Sequence, residues 1–253
     1  ANTGLTLFSG ANTYNGPTTI NANSTLKLGN ALALGTTTNG TTVSSGGVLD
    51  LNGQSIVGES LGLSGSSAIT NGALHNSSAS PAAWSGPIIL SNSSASVGGA
   101  VGDISISGSI SGAYALRKYG SNQLVLSGSN SFTGLGLYGG KVILSGSGAG
   151  VGTLSIYSNS PVIKVTDPNG LDAGAILIGP SGVADMGTLD LAAGATNYIL
   201  NSFGSSASPG GYMTFTNSGG VSANLIFTNA TNFITLSSGG NGGKSLYNNS
   251  TNL

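Results

Sequence analysis

Apolar residues along this 253-residue chain recur at every second position in very short bursts: Leu5-Thr-Leu7, Leu26-Lys-Leu28, Leu49-Asp-Leu51, Leu61-Gly-Leu63, Ile104-Ser-Ile106, Leu124-Val-Leu126, Leu154-Ser-Ile156 and Leu189-Asp-Leu191. Period two is the repeat of a strand with one apolar and one polar face. A helix needs a Gly- and Pro-poor window with apolar residues at i, i+3 and i+4, and the longest Gly-free windows fail to offer it. Thr153 to Asn169 contains Pro161 and Pro168, and Val221 to Ser238 is broken by Asn. Gly and Asn, which tolerate positive φ, punctuate nearly every burst. The pattern predicts an all-β chain.

Strands this short favour a solenoid over a sandwich, whose strands are fewer and whose loops are longer. At roughly 20 to 25 residues per coil the chain makes about ten to twelve short-stranded rungs around one apolar column. The alternate residues Leu26, Leu28, Leu49, Leu51, Leu124, Leu126, Leu189 and Leu191 are expected to line that column. An internal repeat runs through it. Leu5-Thr-Leu-Phe-Ser-Gly-Ala-Asn-Thr-Tyr-Asn-Gly16 returns as Leu124-Val-Leu-Ser-Gly-Ser-Asn-Ser-Phe-Thr-Gly134, pairing Gly10 with Gly128, Asn12 with Asn130, Tyr14 with Phe132 and Gly16 with Gly134. The first copy carries an inserted Phe8. The reading is one solenoid domain, residues 1–253, with related units at about 4–118 and 119–253.

Composition narrows the function. Gly, Ser, Asn and Thr number 44, 41, 25 and 23, more than half of the chain, and charged residues are 5%, against about 25% in a typical soluble domain. Nucleic acid needs a basic footprint; six basic residues scattered over a chain of net charge −1 do not make one. Disorder is not expected either, because 38% of residues are hydrophobic and mean hydropathy is +0.23. No run approaches the roughly 18 apolar residues of a membrane-spanning helix, and no secretory leader opens the sequence. The chain is expected to be a mature subunit or a fragment. With no cysteine, it can meet an oxidising exterior without depending on disulfides.

The segment Leu5 to Ala22, followed by Gly46-Gly-Val-Leu-Asp-Leu-Asn-Gly53, Leu61-Gly-Leu-Ser-Gly65, Trp84-Ser-Gly-Pro-Ile-Ile-Leu90 and Ser107-Gly-Ser-Ile-Ser-Gly112 leading through Leu116-Arg-Lys-Tyr-Gly120, resembles the autotransporter-associated β-strand repeat of type V passenger domains and large bacterial surface proteins. The likeness covers residues 4 to 145, and the rest follows in style. It implies a right-handed parallel β-helix displayed outside the cell. There is no C-terminal outer-membrane barrel, so self-translocation by this chain alone is not expected.

Candidate chemistry is sparse. Gly239-Gly-Asn-Gly-Gly-Lys244-Ser245 imitates a phosphate loop, but Ser238 stands where the first glycine belongs and no helix former follows. Gly98-Gly-Ala-Val-Gly-Asp103 misses the β-roll calcium motif by one residue, and Asp167-Pro-Asn-Gly-Leu-Asp172 reads more simply as an Asx turn than as a calcium site. A glycosidase needs two carboxylates on one groove. Of Asp50, Glu59, Asp103, Asp167, Asp172, Asp185 and Asp190, none forms a convincing pair; Asp50 and Asp190 lie between leucines and are expected to face solvent. His75 has neither a nucleophile elbow to activate nor a second ligand for a metal. Seven Asn-x-Ser/Thr sequons, at Asn23, Asn39, Asn76, Asn92, Asn229, Asn248 and Asn249, are about what composition alone supplies.

The expectation is therefore no enzyme, with no catalytic, cofactor-binding or metal residue. It is an extracellular structural β-solenoid whose open edges pair head-to-tail, or by strand exchange, with further copies of itself into a cell-surface filament. The alternative is an adhesin passenger that meets other surface components or glycans. A polysaccharide-active β-helix enzyme is the third reading.

Overall fold

The computed structural model describes residues 4–65, 72–146, 151–157, 160–171, 175–178, 186–193, 197–200, 202–205, 212–219, 223–227 and 244–248. Every regular element among them is a strand, and every strand pair is parallel. The sheets stack as a β-solenoid of about seven turns. The longest ladder holds ten strands, the others eight, five and three. From coil to coil the register advances by 18 residues at the tightest, Leu126 onto Leu144, and by 28 at the widest, Ile56 onto Trp84. All eight bursts read from the sequence fall on strands, with Leu51 one residue past the end of Val48–Asp50. The sequence junction at 118/119 falls inside the strand Ala115–Tyr119, through which the ten-stranded ladder continues unbroken.

Alternation decides what each strand buries. On the eight-stranded sheet, one inward row runs Ile56, Trp84, Ile106, Leu126, Leu144, Val165, Leu191, and its neighbour runs Ala82, Ile104, Leu124, Val142, Ile163, Leu189, Phe215. On the ten-stranded sheet the inward row is Leu26, Leu49, Leu74, Val97, Lys118, Leu137, Ile156. The five-stranded sheet contributes Ile20, Val43, Leu63 and Leu90. These residues, Lys118 apart, belong to one apolar cluster that includes all eight leucines expected to line the column. Trp84 is part of this core, its indole N–H without an acceptor, and so is no part of any exposed binding surface.

The first strand, Gly4–Phe8, turns its leucines outward. Leu5 and Leu7 are 69% and 56% exposed, because they pair with Thr25 and Lys27 on the outward rows, while Thr6 and Phe8 take the inward positions over Leu26 and Leu28. The extra Phe8 makes the difference: alternation counted from it turns both leucines outward.

The corners are as regular as the strands. Leaving the eight-stranded sheet, the chain repeats Trp84-Ser-Gly86, Ile106-Ser-Gly108, Leu126-Ser-Gly128 and Leu144-Ser-Gly146. The N–H groups of Ser85, Ser107, Ser127 and Ser145 each donate at 3.0 Å, to the carbonyls of Ile56, Trp84, Ile106 and Leu126 on the preceding coil. The glycines then stack against backbone. A Cβ on Gly86 would stand 1.8 Å from the Glu59 carbonyl oxygen, on Gly108 1.9 Å from that of Gly86, and on Gly128 2.3 Å from that of Gly108. Only glycine permits coils to close to ladder distance here.

Candidate functional site

The few charged residues settle where coils meet, on the outward faces of the sheets and at one buried corner. Lys27 and Asp50 are register partners on adjacent coils, with Nζ and Oδ2 3.7 Å apart. Ser77, on the next coil, donates its Oγ–H to Asp50 Oδ2 at 2.6 Å and its N–H to Oδ1 at 3.0 Å, and accepts from Lys27 Nζ at 3.0 Å. The N–H of Asn52 also donates to Asp50 Oδ1, at 3.0 Å. On the eight-stranded sheet the same device recurs. Lys164 pairs with Asp190 at 3.7 Å, and Ser218 donates Oγ–H at 2.6 Å and N–H at 2.8 Å to Asp190 while accepting from Lys164 at 2.9 Å.

These triads correct the expectation that Asp50 and Asp190 face solvent; both are buried. Their side chains point off the sheet, but the lysine of one neighbouring coil and the serine loop of the other close over them. A Lys, Asp and Ser in mutual contact suggest nucleophilic chemistry, yet each serine gives its proton to the carboxylate while the lysine, held as an ion-pair donor, has no lone pair to serve as a base. The triads are clamps across three coils. Asp50→Asn is expected to cost about 1–3 kcal/mol, since one amide oxygen cannot keep all the bonds that two carboxylate oxygens accept, whereas Lys27→Met costs under about 1 kcal/mol because its ammonium is part-exposed. Urea denaturation of the two variants measures the difference.

Lys118 is the least expected residue of the core. It replaces an apolar side chain between Val97 and Leu137 on the inward row and is fully buried. Its Nζ donates to the carbonyls of Tyr119 at 2.7 Å and Gly120 at 3.0 Å and to Asn122 Oδ1 at 2.9 Å. Asn122 donates in turn to the Gly102 carbonyl at 2.8 Å. Burial lowers the ammonium to about 8, with Asp103 opposing the shift. Below pH 8 both folded and unfolded chains hold this proton and the desolvation penalty is fully present. From pH 8 up to about 10.5 only the unfolded chain holds it, so stability rises with pH, by roughly 3 kcal/mol in total. The urea midpoint is expected to climb between pH 8 and 10 and to lose this rise in Lys118→Met.

Three tyrosines form the other notable feature of the ten-stranded sheet. Tyr119, Tyr138 and Tyr157, one per coil, stack with centroids 4.5 and 4.3 Å apart and planes within 18° and 5° of parallel, close to the strand spacing of roughly 4.8 Å. Arg117 hydrogen-bonds the Tyr119 side chain; burial opposes its charge, but that bond and the three phenols leave its pKa raised. Burial first, then the neighbouring phenols, push Tyr138 well above the tyrosine range, against the opposing Arg117. Unfolded tyrosine ionises first, so this group removes stability above about pH 10.

The remaining sequence candidates fall apart in space. Asp167 accepts the Asn169 N–H at 2.8 Å, the Asx turn expected there; Asp172 and Asp185 lie outside the described residues. Asp103 accepts the Gln123 N–H at 2.9 Å. Glu59 is buried, its carboxyl raised by burial and held back by the Thr41 hydroxyl at 2.8 Å. His75 sits in register with Asp50. Among the described residues no three His, Cys, Asp or Glu side chains gather as a metal site, and no helix is long and apolar enough to cross a membrane. Of the glycine-rich segment at 238–245, residues 238–243 lie outside the described residues. Asn76, one of the sequon asparagines, is fully buried with its amide donating to the Ser80 and Asp103 carbonyls, so it cannot carry a glycan in this fold. The clamps, the buried lysine and the tyrosine stack escaped the sequence reading, although the tyrosines stand 19 residues apart twice over and Leu/Ile/Trp-Ser-Gly recurs at intervals of 22, 20 and 18.

Compared with known proteins, the chain matches no family model, no curated protein and no solved structure.

Proposed function

We propose that the chain is an extracellular structural protein, a right-handed parallel β-solenoid of about ten to twelve rungs that builds a cell-surface fibre by association of its sheet edges. The observation that carries this reading is the use made of charge. Lys27, Asp50, Lys164 and Asp190 are spent on locking one coil to the next, and Lys118 is sunk in the core. Such residues hold a stack together and leave little to perform chemistry. Right-handed winding is the strongly preferred sense of parallel crossover connections. An extracellular place agrees with the absence of cysteine, the low charge and the resemblance to surface-protein repeats.

The test is negative-stain imaging of material released from producing cells, with immunogold labelling and protease treatment of the intact cells. Labelled, protease-accessible filaments of unlinked 24.5 kDa subunits support the fibre. A longer polypeptide containing this segment makes it a passenger rod instead, and label confined to the cell interior overturns the extracellular reading.

A further inference from the structure

The tyrosine stack borders a small trough on the outer face of the ten-stranded sheet. Along three successive coils the outward positions read Ala115, Gly134, Thr153 in one row and Arg117, Gly136, Ser155 in the next. The two glycines leave the middle strand bare, so the side chains of the outer two strands stand as walls. Tyr157 closes one end and Thr133 with Ser93 the other, around about 230 Å³. Tyr138 and Tyr157 lean over Gly136, where a Cβ would meet the Tyr157 ring at 3.1 Å and the Tyr138 ring at 3.6 Å.

What the trough lacks is informative. At both clamps, the cation's register partner on the following coil is an aspartate, Asp50 for Lys27 and Asp190 for Lys164. For Arg117 that partner is Gly136, and Ser96 lies on the other side. Arg117 has no carboxylate within ion-pair distance among the described residues; its side-chain partner is the Tyr119 hydroxyl. A fork of donors thus borders a space the size of one small ring, next to the register position where the fold elsewhere puts an acid. The other walls offer the hydroxyls of Thr133, Thr153 and Ser155 and the edge of a tyrosine, groups suited to a ring of alcohols with one apolar face. The volume is below the roughly 300–1,000 Å³ of a site for a drug-sized molecule.

We propose that this trough binds a single carboxylated sugar ring, of the uronate or sialate kind, as presented by acidic surface glycans. Arg117 receives the carboxylate on the trough side of its guanidinium, beside the tyrosine-covered Gly136, and Thr153 and Ser155 exchange hydrogen bonds with the ring hydroxyls. The proposal does not depend on the fibre reading: a rod in a filament or in a longer passenger exposes the same face.

The test is a titration followed by saturation-transfer NMR with methyl glucuronide and the methyl glycoside of N-acetylneuraminic acid, against methyl glucoside and acetate. At least one acidic sugar is expected to bind about tenfold or more tighter than methyl glucoside, the loss expected when a charged hydrogen-bond partner is missing, and acetate is expected not to displace it at equal concentration. Arg117→Gln should weaken binding by a similar factor and Lys27→Gln should not. Because Arg117→Gln also removes the bond to Tyr119, Gly136→Asp is the second variant: it gives Arg117 an internal partner as in the clamps, and is expected to stay folded, at a lower melting temperature because its Cβ meets the Tyr157 ring at 3.1 Å, while abolishing binding. Equal affinity for the acidic and neutral sugars, no binding of either acidic sugar to folded wild type, displacement by equimolar acetate, or unchanged binding in folded Gly136→Asp each overturns the proposal.

Discussion

Leu126→Asp is expected to leave no folded protein. Leu126 is fully buried in the middle of the seven-residue inward row, between Ile106 and Leu144. The substitution forfeits about 1.5–3 kcal/mol of apolar burial and places a carboxylate where neither neighbouring coil can donate to it. With several kcal/mol lost from a total stability of roughly 5–15 kcal/mol, the far-ultraviolet spectrum should lose its β signal. Leu7→Asp, at the same kind of Leu-x-Leu motif but outward-facing, should melt within about 0.5 kcal/mol of wild type. If both variants fold equally well, the column is not what holds the coils.

Gly108→Ala tests the corners as the leucine tests the core. One added methyl must occupy space 1.9 Å from the Gly86 carbonyl oxygen, and the obstruction is backbone, which cannot swing aside as a side chain can. Displacing the coil strains the Ser107 N–H bond to the Trp84 carbonyl and pulls on the rows above and below. A loss of about 3 kcal/mol or more is expected, read as a shift in urea midpoint. Gly16→Ala is the control, since a Cβ there meets nothing within 4 Å, and it should be nearly silent. A silent Gly108→Ala would show that coils can separate at this corner without cost.

The strands were legible because their information is local: apolar alternation over three residues fixes which side chains go in, and a glycine or asparagine fixes where the strand stops. That same locality explains the errors. Leu5-Thr-Leu7 reads identically whichever face is buried, and only the pairing of Phe8 with Leu28 on the following coil decides it. Asp50 and Asp190 looked solvated because their lysines stand 23 and 26 residues earlier. Coil lengths vary, so no constant offset reveals such partners. Lys118 was obscure for a different reason. Its position calls for an apolar side chain, and it is accommodated by the carbonyls of Tyr119 and Gly120, acceptors that belong to backbone and leave no mark in the sequence. The trough is harder still to read, since Gly134 and Gly136 act by what they leave out.

The parallel ladders also fix how the molecule yields to force. Their hydrogen bonds run along the direction of stacking, so tension between the first and last coils loads the outermost ladder rather than shearing all of them together. Coils then leave one at a time, each releasing 18 to 28 residues, about 60 to 100 Å of extended chain, in place of a rung thickness of roughly 4.8 Å. A stretched solenoid of this kind lengthens in many small, separately reversible steps, and dissipates a sudden pull without unravelling at once.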